Sequence, residues 1–285
     1  MRRNRRLPSL APLLESARLE VLPTATIEKK VTEHVPVDRT LTVTASPGKG
    51  LAATLDLTER LAGHGYSVVP HLAARMVSGR AELSEIVERL TAVGVDNVFV
   101  PAGDANPPAG SYTGALDLLE DLTALGQPFA SVGVTGYPES HPTISDDVAI
   151  QSMWDKRRHA THVVSNMCFD PVALSGWITR MRSRGITLPL LVGLSGPVER
   201  AKLLSMATKI GVGESTRYLS KNRSNVLKIA APGYTPERFL DKTAATLTAP
   251  ESRVSGLHIF TFNQVAETEK WRTGLLAEHD PSLVG

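Results

Sequence analysis

The stretch Ser78-Gly79-Arg80-Ala81-Glu82-Leu83-Ser84-Glu85-Ile86-Val87-Glu88-Arg89-Leu90-Thr91-Ala92-Val93-Gly94-Val95-Asp96-Asn97-Val98-Phe99-Val100 decides the fold. Leu83, Ile86, Val87, Leu90 and Val93 recur at the spacing of one helical face, Gly94 supplies a stop, and Asn97–Val100 reads as a buried strand. The same unit returns with Leu118, Leu119, Leu122 and Leu125 before Gly126 and a strand at Phe129–Val134. It returns again from Asp170, a natural N-cap followed by Pro171 at the first helical position. There Leu174, Ile178 and Met181 line one face, and Gly185 precedes a strand at Leu188–Gly193.

Extended along the chain, this rhythm places further strands at Arg18–Leu22, Leu41–Ala45, Ser67–His71, His162–Asn166 and Leu257–Phe262, which with the first, taken as Asn97–Pro101, and the other two make eight in all. Strands alternating with amphipathic helices imply right-handed crossovers and a parallel sheet, and eight of them favour closure into a (β/α)₈ TIM barrel over an open, doubly wound sheet. No Pro/Gly/Ser-rich linker or shift in composition divides the chain, so residues 1–285 are expected to form one barrel domain behind a short basic tail, 1–14. Gly211 to Arg238 is the least regular stretch and is expected to hold an excursion between strands seven and eight. Its Gly211-Val212-Gly213-Glu214 lacks the strand, third glycine and helix of a dinucleotide fingerprint.

Composition narrows the function classes. With 42% hydrophobic and 21% charged residues the chain can bury a sizeable core. Its 31 basic and 29 acidic residues leave a formal charge of +2, with no basic stripe beyond the N-terminus, which argues against a nucleic-acid partner. No run approaches the roughly 18 apolar residues of a membrane span. Cys168, the one cysteine, cannot form an internal disulfide, so a reducing, cytoplasmic location is expected.

In a barrel of this kind functional groups gather where strands end, at the C-terminal face. Those positions carry Glu20, Thr44, His71, Asp104, then Tyr137, Glu139 and His141, then Asn166, Ser195, and Asn263-Gln264. A carboxyl at Glu20, between Leu19 and Val21, is partly desolvated whichever face it takes, which favours the protonated form that a general acid needs. It also fits a structural carboxylate bonded to a loop. Asp104 suits orienting a ring N–H or stabilising positive charge, and equally a turn cap. His71 reads as a site group or as a satisfied histidine. Glu20, His71, Asp104, Glu139 and His141 would also suit a metal-dependent hydrolase barrel, but no His-x-His stands on the first strand and no Cys/His cluster has metal spacing, so no metal is expected.

Taken in order, Glu20, Val43-Thr44, Pro70-His71-Leu72, Gly103-Asp104 with Pro107-Pro108, Gly136-Tyr137-Pro138-Glu139-Ser140-His141-Pro142, Phe169-Asp170 and Phe260-Thr261-Phe262-Asn263 resemble the methylenetetrahydrofolate reductase family. The Tyr-Pro-Glu-x-His-Pro segment is the most specific of these. The resemblance implies a barrel that reduces 5,10-methylenetetrahydrofolate to the 5-methyl form with hydride from a nicotinamide by way of FAD. It implies Glu20 as the general acid that opens the five-membered ring, Asp104 as the carboxylate favouring the cationic iminium, and Asn166, Phe262 and Gln264 at the folate. Thr44, His71, Tyr137 and His141 match flavin-site positions. The chain departs from the family where Ala102 replaces an arginine expected at the flavin phosphates, where Asp147–Lys156 offers few of the expected cofactor-facing groups and Trp154 is expected in flavin space, and where Gln264 replaces an arginine. The expectation is a folate reductase with weak or no FAD, in which NADH, favoured over NADPH, passes hydride directly. A folate-binding barrel without catalysis is the other reading, and the oligomeric state is left open.

Overall fold

The computed structural model describes residues 10–141, 144–198 and 234–279. Eight strands, β1 (Arg18–Val21), β2 (Thr40–Val43), β3 (Ser67–Pro70), β4 (Asn97–Val100), β5 (Ser131–Gly136), β6 (His162–Ser165), β7 (Leu190–Ser195) and β8 (Val254–Phe260), lie in the order β3-β2-β1-β8-β7-β6-β5-β4, and every pairing between them is parallel. The remaining seam, β3 against β4, is joined by a His71–Phe99 bridge and by the Leu72 N–H donating to the Phe99 carbonyl at 2.8 Å. The result is the expected (β/α)₈ TIM barrel.

Helices intervene as the sequence rhythm requires: α1 (Ala11–Glu15), α2 (Ile27–His34), α3 (Gly50–Gly63), α4 (Arg80–Ala92), α5 (Ala115–Ala124), α6 (Asp146–Lys156), α7 (Pro171–Ser183), α8 (Pro236–Thr248) and α9 (Val265–His279). The three glycine stops, Gly94, Gly126 and Gly185, have φ of +77°, +89° and +79°, a region that L side chains rarely adopt. Asp170 caps α7 as expected, its Oδ1 accepting from the Val172 N–H at 2.8 Å and the Ala173 N–H at 3.3 Å. Of the stretch expected as a basic tail, residues 1–9 lie outside the described residues. The rest is not tail, because Leu10, Leu13 and Leu14 are buried on and beside α1. The expected excursion at Gly211 to Arg238 falls mostly outside the described residues as well; within its end, Thr235 caps α8 by accepting from the Arg238 N–H at 3.2 Å.

Strand residues alternate between two cores. Leu19, Val21, Leu41, Val43, Leu257 and Ile259 pack outward against the helices, while Val69, Phe99, Val164 and Leu191 form a smaller cluster inside the barrel. Space inside is tight: a Cβ on Gly133 would lie 2.7 Å from His162 Nε2 and 3.1 Å from a Phe99 ring carbon. The alternation that sends Leu19 and Val21 outward turns Arg18 and Glu20 inward, so two ionisable groups of one strand share the barrel interior. Arg18 meets His162 at 3.1 Å, and burial lowers its guanidinium pKa to about 10.

Candidate active site

Glu20 lies inside the barrel near its C-terminal end, 9% exposed. One carboxylate oxygen, Oε2, meets His258 Nε2 at 3.0 Å and faces His71 Nε2 at 3.8 Å. The register explains the grouping: β1 lies between β2 and β8, Glu20 is level with Thr42 and Phe260, and His258 is level with Arg18. His71 is 8% exposed, with its ring edge against Phe99 at 4.7 Å. Burial pulls its pKa down to about 4, partly offset by the Glu20 charge and reinforced by His258, so it is neutral at ordinary pH. His71 Nε2, His258 Nδ1, Thr42 Oγ1 and Thr135 Oγ1 are buried without a hydrogen-bond partner. Orphaned polar atoms at this density mark a functional interior rather than a packing core.

Loops at the strand ends build an outer group above this cluster. Tyr137 and His141 stack edge to face at 4.8 Å and 82°. Burial raises the Tyr137 hydroxyl pKa, and the negative charge of Asp104 raises it further. Asp104 is exposed on the loop after β4. Glu20 and Asp104 therefore stand at different depths, one inside the barrel and one at its mouth. Thr44 directly follows β2, its N–H donating to the Val21 carbonyl at 3.0 Å and its own carbonyl accepting from Thr54 Oγ1 at 2.8 Å.

Two of the residues singled out in the sequence make local contacts in the structure. Asn166 Oδ1 accepts from the N–H of its own neighbour, Met167, at 2.8 Å. Trp154, expected in flavin space, lies at the far end of α6, where its ring contacts the Gly185 turn and carries the Arg157 guanidinium at 3.5 Å. Helices run antiparallel to the strands, so the last turn of α6 sits at the N-terminal face, away from the mouth.

Gln264, by contrast, is 6% exposed, and neither its Nε2 nor its Oε1 has a partner. The turn that places it is well built. Thr261 Oγ1 donates to the Glu20 carbonyl at 2.6 Å, and Asn263 Oδ1 accepts from the Leu22 N–H at 2.8 Å while its Nδ2 donates to the Leu22 carbonyl at 3.0 Å. Phe262 and Asn263 both take positive φ, +51° and +59°, unusual for residues with side chains.

Glu139 is structural. Its Oε1 accepts from the Phe169 N–H at 2.5 Å, the Asp170 N–H at 2.7 Å and Cys168 Sγ at 3.4 Å, tying the loop after β5 to the loop after β6. Burial, with the Glu139 charge next, pushes the Cys168 thiol pKa up and leaves it unreactive. Glu139→Ala strands the Phe169 and Asp170 N–H groups and is expected to cost about 2 kcal/mol, with Glu139→Gln, which keeps an acceptor oxygen, costing less; urea unfolding midpoints check this. Among the described residues no group of three or more His, Cys, Asp or Glu side chains could hold a metal ion.

Sequence reasoning missed His258, which touches Glu20. The signal was present: in Gly256-Leu257-His258-Ile259-Phe260 the apolar Leu257 and Ile259 face the helices, which turns His258 inward. A cavity of about 260 Å³ lined by Phe129, Arg158 and His159 among others opens at the N-terminal face, remote from this cluster.

An eight-stranded parallel barrel with a buried glutamate held between two imidazoles beneath a polar mouth defines the class of protein at hand. The chain belongs to the methylenetetrahydrofolate reductase family, whose sequence model matches residues 24–270. It is similar to methylenetetrahydrofolate reductase 2 of Saccharomyces cerevisiae, 23% identical over 123 residues, a match covering 39% of this chain and 20% of the yeast protein. Among solved structures it resembles a putative phosphonomutase from Burkholderia cenocepacia J2315, with TM-score 0.50 and 11% identity over 95% of this chain and 96% of that one. It also resembles a dihydropteroate synthase from Thermus thermophilus, with TM-score 0.48 and 16% identity over 94% and 95% of the two chains. At 11% identity the likeness to the phosphonomutase concerns the fold alone. No described helix is long and apolar enough to cross a membrane.

Proposed function

We propose that this chain reduces 5,10-methylenetetrahydrofolate to 5-methyltetrahydrofolate, taking hydride directly from a reduced nicotinamide, NADH in preference to NADPH. The observation that carries this reading, given the family, is the Glu20 carboxyl inside the barrel, bounded on one oxygen by neutral His71 and by His258. A buried carboxyl in such surroundings suits proton donation. Glu20 gives its proton to the bridging nitrogen, the bond from that nitrogen to the one-carbon unit breaks, and the electrons of N5 form the iminium. Hydride from the nicotinamide C4 then adds to the iminium carbon, leaving a methyl group, oxidised nicotinamide and the Glu20 carboxylate, which takes a proton from solvent. Asp104 at the mouth favours the cation electrostatically. The unpartnered amide of Gln264, with a donor and an acceptor both open, is better placed than Asn166 to pair with an amide-like edge of folate or nicotinamide.

The family uses FAD, and the described residues near the expected phosphate positions do not fit its diphosphate. Ala102 offers no charge, and Arg75, next along from β3, donates to the carbonyls of Ala105 at 2.8 Å and Thr113 at 3.1 Å. The first turn of α6 carries Asp146 and Asp147, paired with Arg180 of α7 and with Arg184 just beyond it, so it adds no unpaired cation for a phosphate. Direct transfer from nicotinamide is therefore the favoured route. The test is folate-dependent loss of NADH absorbance by purified protein whose visible spectrum shows no flavin; stoichiometric bound flavin would overturn the direct route, and absence of folate-dependent oxidation the activity.

A further inference from the structure

Resting on the assignment of Glu20 as the acid, we propose that His258 is a positioning residue that reserves Glu20 Oε1 for the transferable proton by donating its Nε2–H to Oε2. Both imidazole contacts of Glu20 fall on the same oxygen: His258 Nε2 at 3.0 Å and His71 Nε2 at 3.8 Å are both measured to Oε2. His258 is 2% exposed, and its ring is braced edge to face by Phe260 at 4.9 Å and 68°, so it has little freedom to turn away. A neutral imidazole carries one N–H and one lone pair. If the hydrogen sat on Nδ1, the Glu20 proton would lie on Oε2 and point at His258 rather than at a ligand, and a buried N–H would be stranded, because Nδ1 has no partner. With the hydrogen on Nε2, only a lone pair is stranded, the less costly of the two. The carboxyl is then held in one orientation, with its acid proton on the oxygen that neither histidine occupies.

The experiment pairs kinetics with a readout that does not need turnover. His258→Phe keeps a ring against Phe260 but removes the donor, and kcat is expected to fall on the order of 10-fold to 100-fold, with KM for the folate and the Tm near wild type. His258→Gln, whose amide N–H can reach the same oxygen, is expected to recover much of that loss. In nitrogen NMR of histidine-labelled wild-type protein, the resonance lost in His258→Gln is expected to report the Nε2–H tautomer. An Nδ1–H tautomer overturns the inference, as does His258→Phe with wild-type kcat. A wild-type protein with no folate-dependent oxidation overturns the assigned activity instead, and the tautomer still decides the geometry at Glu20.

Discussion

Replacing Glu20 by glutamine is expected to lower kcat for folate reduction by about 10² to 10⁴-fold while leaving folate affinity within a few-fold of wild type. Glutamine keeps the volume of the buried side chain and can still accept from His258 through its carbonyl oxygen, the contact made at 3.0 Å by Oε2. What it lacks is an acid proton. The effect therefore belongs to ring opening, not to binding, and should appear in kcat rather than in KM. Steady-state rates and equilibrium quenching of intrinsic fluorescence by the folate separate the two. Unchanged turnover in Glu20→Gln would show that the proton comes from elsewhere, even with the fold and family as described.

Acid should destabilise the folded chain well before carboxylates titrate. His71 is held down to about 4, by burial first, then with the opposing pull of Glu20 and the push of His258. His162 is held down to about 3, by burial first, then by the Arg18 and His258 charges. An unfolded histidine titrates near pH 6.5. Below that pH the unfolded chain binds protons that the folded chain refuses, so the stability these imidazoles contribute is complete above about 6.5 and is lost as pH falls toward 4 and 3. Between pH 7.5 and pH 5 the loss is on the order of 2 kcal/mol for each group. Urea unfolding at the two pH values reads it as a lower midpoint at pH 5, and His162→Gln should remove about half of the difference. Equal midpoints at both pH values would mean that these rings are hydrated and free to charge.

The barrel was legible because its signal is repeated. Each helix stripe, glycine stop and strand repeats the same physical constraint, and all eight strands fall where the rhythm places them. Their ends shift where side chains do not report pairing. β8 begins at Val254, earlier than the apolar run from Leu257, because Val254 and Gly256 pair with Leu190 and Leu191 across an irregularity at Ser255, and Ser255 and Gly256 add no hydrophobicity. β5 begins at Ser131, because Phe129 is buried beneath the sheet without joining it. The N-terminal segment misled for a related reason: prolines at 8 and 12 break an apolar run, yet Pro12 sits in the first turn of α1, where a missing N–H costs nothing.

The site was less legible. Strand ends identify candidates, and Glu20 and His71 do meet. Yet His258 lies within a strand rather than at its end, and only alternation exposes it. Asn166 is a ligand group by type, and its short side chain also lets Oδ1 accept from the N–H of its own neighbour, Met167. Trp154 is placed in the sequence by register along a helix, and helix direction decides which end of the barrel that register reaches. Gln264 had the opposite fate: a position marked by the loss of an arginine holds a buried amide with both ends open.

Direct hydride delivery to a folate iminium can be read from turnover with nicotinamide deuterated at the transferable position of C4, followed by mass analysis of the methyl product. Direct transfer predicts one deuterium in each product methyl group, with none lost to solvent. Methyl product free of deuterium would contradict it, since hydride relayed through a reduced flavin passes a nitrogen whose hydrogen exchanges with water.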